Sequence, residues 1–319
     1  MTENKSGAPY KKSILHTTGI LILKGMAFLP FWTVYGLSDF LAFLLRYVVR
    51  YRKKVIFGNL RNSFPEFSEK EIRRLAWKFY RHFADITLES VKGYGMTRAD
   101  FDARMVFKGL EEMNALAEQG KSVLLLGFHY NNWEWSGFAQ IYLKHRYLVV
   151  YNPMRGNPQF EEYLLGIRRR WGAETIPVHK SARATMEFDR KQEPIALVLA
   201  ADQRPPAITR FWATFMNQEA SFNQGPGKIA KKTNQPVFLH LTRKISRGHY
   251  EVSFIPLIMD PREVSEEEIM LTYVRAMERY IREEPAWYLW SHRRWKQQRP
   301  DGYAMADDLP GVGEATRDR

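Results

Sequence analysis

In the stretch LLLGFHYNNWEWSG (residues 124–137) a single histidine, His129, follows an apolar run and precedes a carboxylate, Glu134, by five positions. Imidazole ionises near neutrality, so it can take a proton from a hydroxyl once a second group fixes which ring nitrogen carries the hydrogen. Glu134 is the nearest carboxylate in the chain for that task. By accepting a hydrogen bond from one nitrogen it would leave the other free as a base and raise its basicity. Asn131 suits a left-handed turn between the two, a conformation it tolerates better than most residues other than glycine. The spacing fits equally well a histidine satisfied by a backbone carbonyl, with Glu134 favoured by the dipole at a helix start. A metal reading lacks its ligands, since no second histidine lies within helical reach of His129.

A second polar group, Asp202, Gln203 and Arg204, follows the apolar run IALVLAA. If both runs are parallel strands, His129 and Asp202 share the carboxyl edge of one sheet, where ligands of open α/β folds bind. The other reading of Asp202 is a loop or cap residue. Cations gather at Arg155, at Arg168, Arg169 and Arg170, at Arg204 and Arg210, and at Arg293, Arg294 and Lys296. Guanidinium forks suit phosphate, although any one of them alone reads as a solvated helix face.

Around these residues the chain alternates between two patterns. MVFKG, KSVLLLGF, YLVVY, ETIPV, PIALVLAAD, PVFLHLT and YEVSFIP read as strands, several of them continuously apolar, as when both sheet faces are covered. LEEMNALAEQG, WEWSGFAQIYLKH, QFEEYLLGIRRRWG, SARATMEFDRK and GPGKIAKKTN read as helices between them. The fold class expected is therefore α/β, a largely parallel central sheet flanked by helices. Two further helices carry capping signals, Ser68 with Glu71 and Ser265 with Glu268. The polar stretch from Asp301 lacks periodicity and reads as a tail over residues 301–319.

Near the N-terminus, residues 25–45 carry Asp39 as their single charge, close to the roughly 20 apolar residues a spanning helix needs. Pro30 and Gly36 should bend it. Residues 1–50 are thus expected to be a membrane-anchoring segment, spanning or interfacial, with a buried helix hairpin as the other reading. The cluster Arg46, Arg50, Arg52, Lys53 and Lys54 favours a cytoplasmic position for the domain that follows, over residues 51–300.

Composition narrows the chemistry. The 319-residue chain has no cysteine, so disulfides, thiolate metal sites and thiol nucleophiles are excluded. Its 48 basic against 35 acidic side chains give a formal charge of +13, which points to anionic partners. Nine tryptophans and sixteen tyrosines lean toward a membrane interface, although rings such as Trp290 and Trp295 could also stack on bases.

Taken together, FHYNNWEW resembles the H-x-x-x-x-D/E motif of the lysophospholipid acyltransferase superfamily, in the form typical of the bacterial lipid A late acyltransferases. NLRNSFPEFSEKE, RRRWGAETIP, ADQRP and SHRRWKQQRP are similar to further segments of that family, in the same order, over roughly residues 51–300. The resemblance implies a glycerolipid acyltransferase-like domain that moves a fatty acyl chain from an acyl carrier protein thioester to a hydroxyl of a lipid A precursor. It implies His129 as general base and Glu134 as its orienter. Asn132, Arg155, Arg168, Arg169, Asp202, Gln203, Arg204, Arg293 and Arg294 are then the expected substrate-binding residues. Backbone N–H groups after His129, Arg168 or Arg169 are candidates for holding the oxyanion. No cofactor is called for. The implied partners are the acyl carrier protein, an anionic membrane lipid and the bilayer, at the cytoplasmic face of the inner membrane. Two alternatives remain open: the same chemistry on a lysophospholipid or aminolipid, and a non-catalytic, membrane-tethered binder of anions or nucleic acid. On the acyltransferase reading, nucleic acid is not an expected partner.

Overall fold

In the computed structural model, which describes residues 14–154 and 156–309, the strongly apolar runs become the middle of a sheet. The chain order is α1 (Ile14–Met26), α2 (Phe31–Phe43), α3 (Lys53–Ser63), α4 (Glu69–Lys92), α5 (Arg98–Asp102), β1 (Met105–Lys108), α6 (Leu110–Glu118), β2 (Val123–Gly127) and α7 (Trp133–Ser136). It continues with β3 (Arg146–Tyr151), α8 (Pro158–Arg169), β4 (Glu174–Pro177), α9 (Ser181–Arg190), β5 (Ile195–Ala200), β6 (Trp212–Phe215) and β7 (Gln218–Ser221). Then come α10 (Gly225–Thr233), β8 (Val237–Ser246), β9 (His249–Ile258) and α11 (Glu266–Glu283).

Seven strands form one sheet in the order β1-β9-β8-β2-β5-β3-β4. The five from β8 to β4 run parallel, while β9 turns back antiparallel on β8 and carries β1 alongside it. The α/β expectation with a largely parallel sheet therefore holds. Val123 to Leu126 are fully buried because the sheet is covered on both faces. One face packs Leu124, Leu126 and Leu197 against α4, α10 and α11; the other packs Leu125, Ala196 and Phe238 against Phe101, Met113 and Trp135.

Several local expectations change. The apolar N-terminal run is two helices rather than one, because Pro30 ends the first and starts the second, whereas Gly36 leaves α2 unbroken. Among the described residues no single helix is long and apolar enough to cross a membrane, and α2 with its π-helical extension meets α3 at a bend of 89°. The stretch expected as one helix after His129 forms a single α turn and then a 3-10 turn, Gly137–Ile141, whose period of three brings Trp135 and Phe138 to the same core. The β6–β7 hairpin has no counterpart in the sequence expectation. After Asp301 the chain is docked, with Ala306 buried and Asp307 paired with Arg275; residues beyond 309 lie outside those described.

Helix α2 buries a narrow stripe, Val34, Ser38 and Ala42, against α4 and leaves Phe28, Trp32, Phe40 and Phe43 around it exposed, Trp32 at 77%. Polar ties hold it. Arg247, in the β8–β9 turn, bridges Asp39 of α2 and the buried Asp85 of α4, at 2.8 and 2.6 Å, and Ser38 donates to Asp85 at 2.7 Å. At the α1–α2 joint the Lys92 ammonium donates to the carbonyls of Ala27 and Leu29, at 2.9 and 2.8 Å. Gly95 is needed there, since a Cβ would stand 2.4 Å from the Ala27 carbonyl oxygen.

Lys92→Met keeps the apolar stem and removes both hydrogen bonds. It should cost about 1–3 kcal/mol, the scale of leaving buried carbonyls without a donor. Chemical denaturation should show the loss, and proteolysis at the 27–30 joint should accelerate.

Candidate active site

The ladder between β2 and β5 pairs Gly127 with Ala200. Two residues past each partner stand His129 and Asp202, so the parallel register delivers an imidazole and a carboxylate to the same level of the carboxyl edge. Asp202 is buried, and its Oδ1 lies 2.8 Å from His129 Nδ1. Its Oδ2 accepts from the His129 backbone N–H at 3.2 Å. An ionised carboxylate only accepts, so Nδ1 carries the ring hydrogen and Nε2 presents its lone pair. That lone pair faces the Gln203 side-chain amide at 3.1 Å.

The segment after His129 is held from both sides. Asn131 takes the left-handed conformation, with φ 52°, as its residue type allows. Its backbone N–H donates to the Trp287 carbonyl at 3.0 Å and its side chain to the Thr242 carbonyl at 2.9 Å. Tyr130 bridges to Tyr288, and the Leu289 N–H donates to the His129 carbonyl. Asn132 caps α7 by accepting from the Trp135 N–H at 2.9 Å, and donates to Glu89 at 2.7 Å.

Glu134 does not hold the imidazole. Its carboxylate receives both arms of the Arg168 guanidinium, at 3.0 and 2.6 Å. Asp202 is the carboxylate that orients His129. The reason is local geometry. His129 belongs to the last extended residues of the strand exit, level with β5, whereas Glu134 lies beyond the Asn131 turn in a helix start that faces α8.

The charges reinforce one another. Burial alone would depress His129, but the charge and hydrogen bond of Asp202, with the charge of Glu134, raise it above the ordinary imidazole value. Burial likewise works against ionisation of Asp202 and Glu134, yet both are held below the usual carboxylate range, Asp202 by His129 and Glu134 by Arg168.

His129, Trp133, Glu134, Arg168, Gln203 and Arg204 line one cavity of about 770 Å³, otherwise walled largely by apolar side chains such as Phe138, Val149, Leu165 and Ile167. That is the size range of a site for an elongated small molecule or chain. Trp133 stands edge-on to the imidazole, and Trp135 is core, donating to the Glu89 carbonyl.

The other expected site residues disperse. Arg169 turns outward to Glu162, and Arg293 is exposed and off the cavity wall. Arg294 is buried over the Phe222 ring and donates to the Ser221 carbonyl at 2.6 Å, so it supports the Asp202 region electrostatically instead of lining the cavity. Asn132 is a loop support. Arg155 lies outside the described residues.

A profile of the bacterial lipid A biosynthesis acyltransferases matches residues 4–297, nearly the whole chain. The chain belongs to that family. It is similar to the lipid A biosynthesis lauroyltransferase of Escherichia coli (strain K12), at 25% identity over 293 residues, covering 89% of this chain and 92% of the relative. This acyltransferase therefore carries its His-x-x-x-x-Glu motif with the two side chains committed to different partners.

Sequence reasoning missed Glu89. Its Oε2 accepts from Asn132 and from Tyr250, the latter at 2.6 Å, and its Oε1 accepts from Tyr35 of α2 at 2.9 Å. The signal was present: Glu89 continues the stripe Ile72, Leu75, Phe79 and Ile86, a carboxylate where a buried apolar residue is due.

The His129–Asp202 pair has its own pH signature. With the neutral imidazole as the base in the reading proposed below, kcat/KM should rise with pH through an apparent pKa above the ordinary 6.5 and then level off. Asp202→Asn removes the raising charge, which should move that limb to lower pH and cut the rate about 10²–10⁴-fold. A limb that does not move on this substitution would separate Asp202 from the base.

Proposed function

We propose that this acyltransferase transfers a fatty acyl chain from an acyl carrier protein thioester to a free hydroxyl of a lipid A precursor. The observation that carries the reading is the His129–Asp202 pair on the wall of an apolar cavity, in a chain of this family. His129 Nε2 takes the hydroxyl proton as the oxygen attacks the thioester carbonyl, while Asp202 stabilises the imidazolium. The tetrahedral intermediate collapses with formation of the ester and cleavage of the C–S bond. The thiolate leaves with the proton from His129, and no enzyme-bound acyl group is needed.

Arg168 is the residue suited to the developing oxyanion. Glu134 grips its guanidinium with both oxygens, which fixes its direction and prepays its ordering. In this mechanism Glu134 acts mainly through Arg168 and secondarily through its charge on His129. Gln203 marks the position of the acceptor hydroxyl, since it already occupies the hydrogen-bonding direction of Nε2.

The organisation that fits this activity is an interfacial segment of α1 and α2 followed by the acyltransferase domain. Phe28, Trp32, Phe40 and Phe43 form an exposed apolar belt, and Arg46, Arg50, Arg52, Lys53 and Lys54 follow it in sequence. Such a belt with cations beside it suits shallow insertion into an anionic leaflet, on the cytoplasmic side of the inner membrane.

With acyl carrier protein thioester and lipid A precursor, mass spectrometry should detect one added acyl chain. His129→Ala should reduce turnover by at least about 10²-fold, and Arg168→Ala by a similar factor. Near-parent turnover in His129→Ala would overturn the mechanism, and an unmodified lipid A precursor beside an acylated aminolipid or phospholipid would overturn the acceptor. Replacing Trp32 and Phe40 together by glutamate should release the protein from the membrane fraction into the soluble one, as followed by flotation with vesicles.

A further inference from the structure

The cavity lies on both faces of the sheet. Val149 and Val198 pack with the core that contains Trp135, Val150 and Leu199 with the core that contains α10 and α11, and all four line the cavity. It therefore passes over the carboxyl edge beside His129 and has two limbs. The first, under Phe138 and Ile167, is apolar and suits a hydrocarbon chain. The second emerges between α9 and α10, where Ala182 and Met186 of α9 face Lys228 and Lys232 of α10 across the lining.

The rim of the second limb is cationic. Lys228 and Lys232 lie one helical turn apart on one face of α10, both exposed, and neither forms an ion pair among the described residues. Helix α10 contains no acidic residue. Arg204 reaches the same cavity, and its Nε is buried with no partner among the described residues. Arg183 adds an exposed cation on α9, whose neighbouring Glu187 is held by Lys191. This positive field is set apart from the apolar belt: α1 packs on α8 and α2 on α4, whereas α9 and α10 pack on each other. A bilayer that takes up the belt already has the cations that follow α2. The second rim is free for a soluble partner.

Building on the acyl-transfer reading, we propose that the α9–α10 rim is the docking surface for the acidic carrier protein that brings the acyl donor. Lys228 and Lys232 take the phosphodiester at the root of its pantetheine-type arm. The arm enters by the second limb, the thioester carbonyl stops beside His129 and Arg168, and the acyl chain continues into the apolar limb. The acceptor hydroxyl can then approach without sharing the donor's entrance.

The test is Lys228→Glu together with Lys232→Glu. Both side chains are exposed, so a parent-like thermal melt is expected and confirms folding. With acyl carrier protein thioester as donor, KM should rise at least tenfold while kcat stays within about twofold. The parent's kcat/KM should fall steeply with added NaCl, and the variant's should be nearly flat. An unchanged KM overturns the proposal, as does a fall in kcat at constant KM, which would assign the lysines to the chemistry. Loss of binding to phosphatidylglycerol vesicles at unchanged KM overturns it too, by assigning the rim to the bilayer. A parent enzyme that uses no carrier thioester at all would instead remove the acyl-transfer reading on which this rests.

Discussion

The hydrogen bond between Asp202 and His129 joins the exits of two neighbouring parallel strands, and its length is set by their register. With Gly127 opposite Ala200, equal steps along β2 and β5 bring the two side chains level. An ionised carboxylate buried as deeply as Asp202 costs several kcal/mol unless its lone pairs are used. Here the imidazole, the His129 backbone N–H and the charge of Arg294 offset that cost. Tyr273 stiffens the same edge, donating to the Gly127 carbonyl at 2.6 Å and accepting from the Ala201 N–H. A slip of one residue would turn His129 and Asp202 to opposite faces of the sheet, so register and charge pairing enforce each other.

The remaining segments of the family motif have structural duties around this pair. Asn59, from the entry segment, donates to the carbonyls of Trp290 and His292, and Arg52 donates to that of Ser291. These clasps hold the terminal block against the loop that carries His129. Trp290 is fully buried within it, stacked with Trp295 and edge-on to Phe64. The density of tryptophan and arginine there reflects a packed junction with two jobs, closing the first core and supplying backbone partners to residues 129–131.

Much of the fold was legible because buried parallel strands are nearly pure apolar runs, and helices between them carry caps and a period near 3.6. What failed was local and has physical causes. The β6–β7 hairpin turns through Met216 and Asn217, both at positive φ; Met in place of the usual Asn or Gly hides a type I′ turn. Of the site, both strand-end residues could be read, and so could the left-handed Asn131. The pairing of carboxylates could not. Glu134 is five residues from His129 and Asp202 is 73, and spacing favours the nearer one. Which carboxylate reaches the ring depends on β2–β5 adjacency, a tertiary fact. The same holds for Glu89, which ties α2, α4, β9 and the α7 cap through three side chains far apart in the chain.

Glu89 has a mechanical consequence. Tyr35, on the same helix as the exposed Trp32 and Phe40, and Asn132, which begins the turn containing Glu134, bind the same buried carboxylate. Swinging α2 away would strip Tyr35 from Glu89, Ser38 from Asp85 and Asp39 from Arg247. Hydrogen bonds of this kind to charged groups contribute about 1.5–3 kcal/mol each, so together they disfavour that motion by several kcal/mol. Helix α2 and its exposed rings are thus tied to the loop that carries His129. Any apolar surface that accepts Phe28, Trp32 and Phe40 holds His129 and the cavity at a fixed height and attitude. Under the interfacial acyl-transfer reading proposed above, an acceptor would have to present its hydroxyl at that height, which would place part of the selection among acceptors in α2, outside the cavity.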